Sequence, residues 1–286
     1  MRFLVLGATG MAGHAIALYL KERGHCVTGF SRRGVPFLGE QVLGDARDES
    51  ELRAIVERGA YDVVINCVGV LNSFAEADPE GAAYLNGKLP HVLASICEGA
   101  PTRVFHMSTD CVFAGNTGPY AEGGEPDGES VYDRTKAAGE LNDSKNLTFR
   151  NSIVGPDMSP AGIGLLNWFM AQDGSIGGYT RAMWTGLTTL ELAKAMEAAA
   201  SAGTSGLVNM VPEGNISKYD LLALFNEELR GGSVEIREDP SLVLDKTLVR
   251  TNFDLGFRPA GYPQQVKELA AWMRAHKDLY PHYTLG

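Results

Sequence analysis

Apolar residues fall into short unbroken runs, and between the runs they recur at helical spacing. In the first half the runs are residues 2–6, 26–30, 41–43, 61–68, 103–107 and 147–149. They show no polar alternation, so each reads as a strand buried on both faces. Helical periodicity covers residues 14–22, 49–58, 79 to about 98, and 130–141. Gly24 stops the first of these helices; Asp78 is placed to cap the third and Pro79 to open it. Alternating strands and helices of this kind fold as a parallel sheet with helices on both faces, so the pattern predicts a doubly wound α/β architecture.

After about residue 151 the pattern loosens. Gly, Pro and Met cluster over residues 155–164, and Trp168, Tyr179 and Trp184 follow in a mixed segment. Residues 189–202, 218–229 and 264–276 read as helices, 207–210 and 234–236 as strands. The expected division is a doubly wound domain over residues 1–150 and a smaller α/β portion over 151–286. No linker separates them, so the boundary is soft and segments can return to the sheet.

The 286 residues are 44% hydrophobic and 21% charged, a globular composition that excludes disorder and collagen. A net charge of −10 argues against a general nucleic-acid binder, since phosphate backbones reward clustered Lys and Arg. No run reaches the roughly 18 apolar residues of a membrane helix, and residues 3–6 are too short for a signal peptide, so a cytoplasmic protein with no membrane partner is expected. Cys26, Cys67, Cys97 and Cys111 form no C-x-x-C pair and read as buried, reduced thiols. The six histidines show no metal-ligand spacing, and no metal is expected. The acidic loop of Glu122, Glu125 and Asp127 reads as solvated.

The turn after the first strand reads Gly7-Ala8-Thr9-Gly10-Met11-Ala12-Gly13. Glycines at this spacing permit a tight turn and let backbone N–H groups approach a pyrophosphate at a helix N-terminus, as in a Rossmann dinucleotide site. Gly7, Thr9, Gly10, Met11 and Gly13 are the expected cofactor contacts there. The second strand ends Phe30-Ser31-Arg32-Arg33, with no acid to hold a ribose 2′-hydroxyl. Ser31, Arg32 and Arg33 suit a 2′-phosphate, so NADP is expected and NAD fits less well. Asp45 and Ala46 are placed to meet the adenine, although Asp45 could equally cap a helix. Cys67, Val68 and Gly69 would run behind the cofactor.

Tyr132 and Lys136 lie one turn apart on a helix and so face the same way. Thr109 follows the strand 103–107, at the end where α/β proteins bind ligands. A tyrosine hydroxyl can give its proton to a carbonyl oxygen as hydride reaches the carbon. A nearby ammonium would bring the phenol pKa down toward working pH. Thr109 would orient the carbonyl.

The Gly7–Gly13 turn (residues 7–13), the block Ser108-Thr109-Asp110-Cys111-Val112-Phe113 and the block Tyr132-Asp133-Arg134-Thr135-Lys136-Ala137-Ala138-Gly139-Glu140 resemble the extended short-chain dehydrogenase/reductase family. Within it the chain is most similar to the dTDP-4-dehydrorhamnose reductase group. Ile216-Ser217-Lys218-Tyr219-Asp220 and Leu244-Asp245-Lys246 echo that group further on. The resemblance implies NADPH-dependent reduction of a 4-keto-6-deoxy sugar carried on a nucleoside diphosphate. It implies a triad of Thr109, Tyr132 and Lys136, with Lys136 also holding the nicotinamide ribose and Asn86 near the active site. Three departures lie near the expected substrate pocket: Cys111 stands for a tyrosine, Ile153 for a tryptophan, and Thr185-Gly186-Leu187-Thr188 lacks the group's proline. Val70, Asn86, Cys111, Asn151, Trp168, Arg181 and Trp184 complete the substrate-side expectation, with Arg181 facing a diphosphate and the aromatics stacking on base or sugar; a core role serves the aromatics equally well. Rival readings are an epimerase or dehydratase of the same superfamily, against which Arg32 and Arg33 speak, and a non-catalytic partner subunit like the regulatory subunit of methionine adenosyltransferase. The expected partner is a nucleotide sugar; relatives include monomers and homodimers.

Overall fold

The computed structural model describes residues 1–253 and 255–286. The first half runs β1 (Arg2–Leu6), α1 (Met11–Glu22), β2 (Cys26–Ser31), β3 (Glu40–Leu43), α2 (Glu49–Gly59), β4 (Val63–Asn66), α3 (Asn72–Ala77), α4 (Pro79–Ala82), α5 (Leu89–Ile96), β5 (Arg103–Met107), α6 (Val131–Ala138) and β6 (Leu147–Arg150). The second runs β7 (Ser152–Val154), α7 (Leu165–Met170), β8 (Ser175–Tyr179), β9 (Ala182–Trp184), β10 (Gly186–Thr188), α8 (Thr189–Ala202), β11 (Gly206–Asn209), β12 (Ile216–Ser217), α9 (Lys218–Arg230), β13 (Glu235–Asp239), β14 (Leu244–Asp245) and α10 (Tyr262–Ala275).

Seven parallel strands in the order β11-β6-β5-β4-β1-β2-β3 form the central sheet. The order reverses between β1 and β4, and that switch point opens a crevice at their carboxyl ends. On one face Ile16, Ala17 and Leu20 of α1 meet Leu192, Ala193 and Met196 of α8 over Phe3, Val5 and Phe105. On the other, Leu52 and Ile55 of α2 and Leu89 and Leu93 of α5 cover Leu4, Leu6 and Val64. These strands are buried on both sides, as their unbroken apolar runs require. A second core joins Trp184, α7, α9 and α10. β11 belongs to the central sheet and α8 covers it, so residue 150 does not divide the sheet from the rest.

The helix expected from residue 79 to about 98 is interrupted. Ala83–Lys88 forms a π-helical turn between α4 and α5. Pro90 supplies the reason: it has no N–H for the Asn86 carbonyl, and its ring crowds that carbonyl in a regular helix. The strand expected over 61–68 ends at Asn66, whose side chain accepts from Val68 N (3.1 Å) and turns the chain out of the sheet. Cys26, expected to be buried, is exposed at the start of β2. Glu122, expected to be solvated, accepts hydrogen bonds from the backbone N–H groups of Asn209, Thr251 and Asn252 and so ties β11 to a distant loop. Among the described residues no helix is long and apolar enough to cross a membrane.

Candidate active site

The crevice at the switch point is a cleft of about 440 Å³. Gly7, Thr9 and Gly10 of the first turn line it, with Ser31 and Arg32 from the end of β2. Asp45 and Ala46 line the same cleft after β3, and Cys67, Val68, Gly69 and Val70 after β4. Four segments remote in sequence thus meet where the glycine turn predicts. Gly7 has φ +75°, and its N–H donates to Phe30 O at 2.8 Å, which closes the turn. A Cβ on Gly13 would lie 2.2 Å from Gly7 O, so only glycine lets α1 start this close to β1. No side chain caps α1 at Gly10, which leaves its first N–H groups for an anion.

Other expected contacts lie elsewhere. Met11 and Gly13 are outside the lining; Gly13 shapes the turn, and the Met11 sulfur packs toward Gly164. Arg33 also lies outside it, and its carbonyl accepts from Ser31 Oγ at 2.5 Å. The second cation of the cleft is Arg47, which the sequence reading missed. Asp45 Oδ1 accepts from Arg47 N at 3.0 Å, and Arg47 Nη2 reaches Asp78 at 3.5 Å. Asp45 does not cap α2; Asp48 does. An exposed arginine two residues after a strand-end acid carried no sequence signal.

Thr109, Tyr132 and Lys136 are all buried, and the Thr109 hydroxyl is hydrogen-bonded to the Tyr132 phenol. Ser130 and Asp133 form a capping box that sets the first turn of α6 and therefore the direction of Tyr132. Gly139 ends that helix against the π-helical turn; its Cβ would lie 2.0 Å from Asn86 O. Glu140 accepts from Ser108 Oγ (2.6 Å), Arg150 Nε (2.8 Å) and Arg150 Nη2 (2.5 Å). This buried ion pair joins the end of α6 to β6 and to the residue before Thr109. Arg150 and Glu140 are a second pair that sequence reasoning missed, although Glu140 ends a block it had singled out.

The electrostatics differ from expectation in one respect. Burial pushes the Tyr132 phenol well above its ordinary value, Cys111 and Asp110 add to this, and the Thr109 hydroxyl opposes it. Lys136 does not lower it. Its Nζ donates to Met107 O at 2.5 Å and faces His106 Nε2 at 3.4 Å. Burial brings the Lys136 ammonium down to about 8. His106 Nδ1 accepts from Asn66 Nδ2 at 3.3 Å, and burial keeps the ring neutral. Tyr132 is thus a protonated phenol at neutral pH, the form that can donate.

On the substrate side, Cys111 and Val70 both pack against the small core of Ala75, Ala82 and Tyr132, and burial pushes the Cys111 thiol up to about 12. Asn86 is fully buried and its amide is committed: Oδ1 accepts from Val70 N, and Nδ2 donates to Val70 O and Thr135 Oγ1. It pins the loop that carries Val70 and presents no free polar atom. Asn151 is buried with Oδ1 unbonded, beside Ser152, whose hydroxyl donates to Asp110 Oδ1 at 2.7 Å. Trp184 is in the second core against Tyr262, Trp168 is 43% exposed on α7, and Arg181 is exposed ahead of β9. A separate cavity of about 690 Å³ is lined in part by Arg250, Phe253 and Arg258 and includes none of Thr109, Tyr132 and Lys136. No cluster of metal-ligating residues occurs among the described residues.

Residues 1–153 match the family model described as RmlD substrate binding domain. The chain is 35% identical over 145 residues to a probable low-salt glycan biosynthesis reductase of Haloferax volcanii, covering 49% of this chain and 48% of the relative. It is 35% identical over 141 residues to the dTDP-4-dehydrorhamnose reductase of Streptomyces griseus (49% and 43%). It is 32% identical over 142 residues to methionine adenosyltransferase 2 subunit beta of Xenopus laevis (49% and 41%). The alignments thus span about half the length of the curated relatives. A crystal structure of dTDP-4-dehydrorhamnose reductase from Bacillus anthracis in complex with NADP superposes with a TM-score of 0.80 at 16% identity, covering 95% of this chain and 99% of that one, a likeness of fold. With the family model matched over more than half of its length, the chain belongs to the RmlD substrate-binding-domain family, the dTDP-4-dehydrorhamnose reductase-like group of the extended short-chain dehydrogenase/reductases.

Proposed function

We propose that the chain is an NADPH-dependent reductase of a 4-keto-6-deoxy sugar carried on a nucleoside diphosphate. The observation that carries this reading is the buried, protonated Tyr132 beside Thr109, next to a glycine-turn cleft with two arginines. The names of the relatives point the same way.

The cleft fits NADP. The uncapped start of α1 would take the pyrophosphate, and Arg32 and Arg47 the 2′-phosphate. Cys67 to Gly69 would back the nicotinamide half, and Lys136, which lies close enough to Cys67 for the two to interact electrostatically, would hold the ribose there. The bound reduced cofactor supplies hydride. Thr109 orients the carbonyl, and Tyr132 donates a proton to its oxygen. The raised phenol pKa suits this acid role.

The test is NADPH oxidation with dTDP- and UDP-linked 4-keto-6-deoxy sugars. Wild type should turn over, and Tyr132→Phe should lose roughly a thousandfold in kcat, within the usual range for a general acid, while NADPH binding is unchanged. A regulatory role is the second reading, favoured by the match to methionine adenosyltransferase 2 subunit beta. Under it, wild type binds NADPH but reduces neither sugar.

A further inference from the structure

The small sheet β12-β9-β14 delivers two lysines that the triad does not use. Ser217 at the end of β12 and Asp245 at the end of β14 both pair with Met183 of β9, from opposite sides. Continuing each register by one residue sets Lys218 beside Ala182 and Lys246 beside Trp184. Residues 182 and 184 share one face of a strand, so both lysines belong to that face. Two strand spacings separate them by about 10 Å laterally, a gap that two lysine stems can close onto one small anion.

The contacts agree with the register. Lys218 Nζ lies 5.1 Å from the centre of the Trp184 ring. The Lys246 stem packs on Gly115, in the loop that follows Thr109 and Cys111. Both ammonium groups act on Cys111, which itself packs against the small core that holds Tyr132. Both side chains are partly buried, and among the described residues neither makes a hydrogen bond or an ion pair. Their anionic neighbours are Asp110, already bonded by Thr109 and Ser152, and Asp245, already bonded by Thr247. The capping of α9 by Ser217 fixes where Lys218 leaves the sheet. Two half-buried cations that make no hydrogen bond or ion pair, beside a reaction centre, are suited to be completed by an anion.

We propose that Lys218 and Lys246 form a two-lysine anion subsite beside Thr109 and Tyr132, and that it takes the diphosphate of the sugar nucleotide, a proposal that rests on the reductase reading above. The subsite holds the charged leash of the substrate a fixed distance from the carbonyl that Tyr132 protonates. It also reassigns the diphosphate contact from Arg181, which is exposed ahead of β9.

The test is calorimetric titration of dTDP, UDP and inorganic pyrophosphate into wild type, Lys218→Gln, Lys246→Gln, the double variant and Lys218→Arg. Each glutamine should raise Kd for the nucleoside diphosphates about tenfold and the pair about a hundredfold, as expected for charge-assisted contacts. Lys218→Arg should restore most of the affinity, and NADPH Kd should not move. In turnover, KM for the keto sugar should rise far more than kcat falls, because the diphosphate is held equally before and during reaction. Unchanged Kd in the double variant, or no binding of either nucleoside diphosphate by wild type, overturns the subsite. Lysine-dependent dTDP or UDP binding without any keto-sugar turnover upholds the subsite and removes the reductase reading. Turnover with an unaltered KM in the double variant does the reverse.

Discussion

The two sides of Tyr132 are built from different materials. The cleft at the switch point is made largely of backbone: a glycine turn, an uncapped helix start and the loops after β3 and β4. The opposite side is made of side chains set by three two- and three-residue strands, with Lys218 and Lys246 more than a hundred residues after Thr109. A site made of backbone demands glycines at fixed spacing, and those stand out in a sequence. A site made of side chains on short strands demands only that register be right, and register leaves no local mark. The family model follows the same contrast, since it matches residues 1–153.

The largest effect is expected where the two sides are joined. The Arg150–Glu140 pair is 2% and 9% exposed and braces both Ser108 and the end of α6. Glu140→Ala leaves a buried guanidinium uncompensated, a loss of about 3–5 kcal/mol. That corresponds to a Tm lower by roughly 10 °C in a chain of this size. Scanning calorimetry checks it. A Tm unchanged within about 2 °C would mean that the two sides stand independently.

Next comes the backbone side alone. Gly13→Ala puts a Cβ 2.2 Å from Gly7 O, and neither backbone can yield without opening the turn. NADPH affinity should fall by roughly a hundredfold, read by fluorescence titration, while the dTDP affinity argued above should hold. Loss of both would contradict a division of the molecule into two sites.

The legibility of the fold follows the same line. Buried parallel strands such as Arg2–Leu6 and Arg103–Met107 were readable because burial on both faces leaves an unbroken apolar run. The π-helical turn was not, because Pro90 acts through a carbonyl four residues back rather than through the local pattern. β9, β12 and β14 were not, because two or three residues cannot show a period of two. In the site, Thr109, Tyr132 and Lys136 could be singled out from the spacing on α6 and the position after β5, and all three are buried. Arg47 was missed because a lone cation in a loop has no spacing, and Asn86 was placed near the triad without any sign that its amide would be consumed by Val70 and Thr135.

The exposed rim of the cleft should give a smaller effect. Arg32 and Arg47 line it and Arg33 does not. Arg32→Ala and Arg47→Ala should each weaken NADPH about tenfold, the size of one charge-assisted contact, and NADH hardly at all. Arg33→Ala should affect neither. Parallel titrations with the two cofactors check this, and an equal loss for both would place the arginines on the shared pyrophosphate instead.

The smallest effect concerns Lys136, one turn after Tyr132 on α6. Burial brings the Lys136 ammonium to about 8, below the ordinary lysine value, so it loses its proton as pH rises through that point. The protonated form has three hydrogens and a full charge, so it donates to ribose hydroxyls more strongly than the neutral amine while Met107 O takes one hydrogen. Affinity for NADPH should therefore fall with rising pH, by roughly threefold between about pH 7.5 and 8.5, the ratio of protonated fractions on either side of the pKa. The neighbours stay silent in that window: burial holds Cys67 up at about 12, raises Tyr132 further and keeps His106 neutral. Lys136→Arg keeps its charge throughout and should flatten the profile. A slope that persists in that variant would move the titration from Lys136 to another group, and with it the ribose contact.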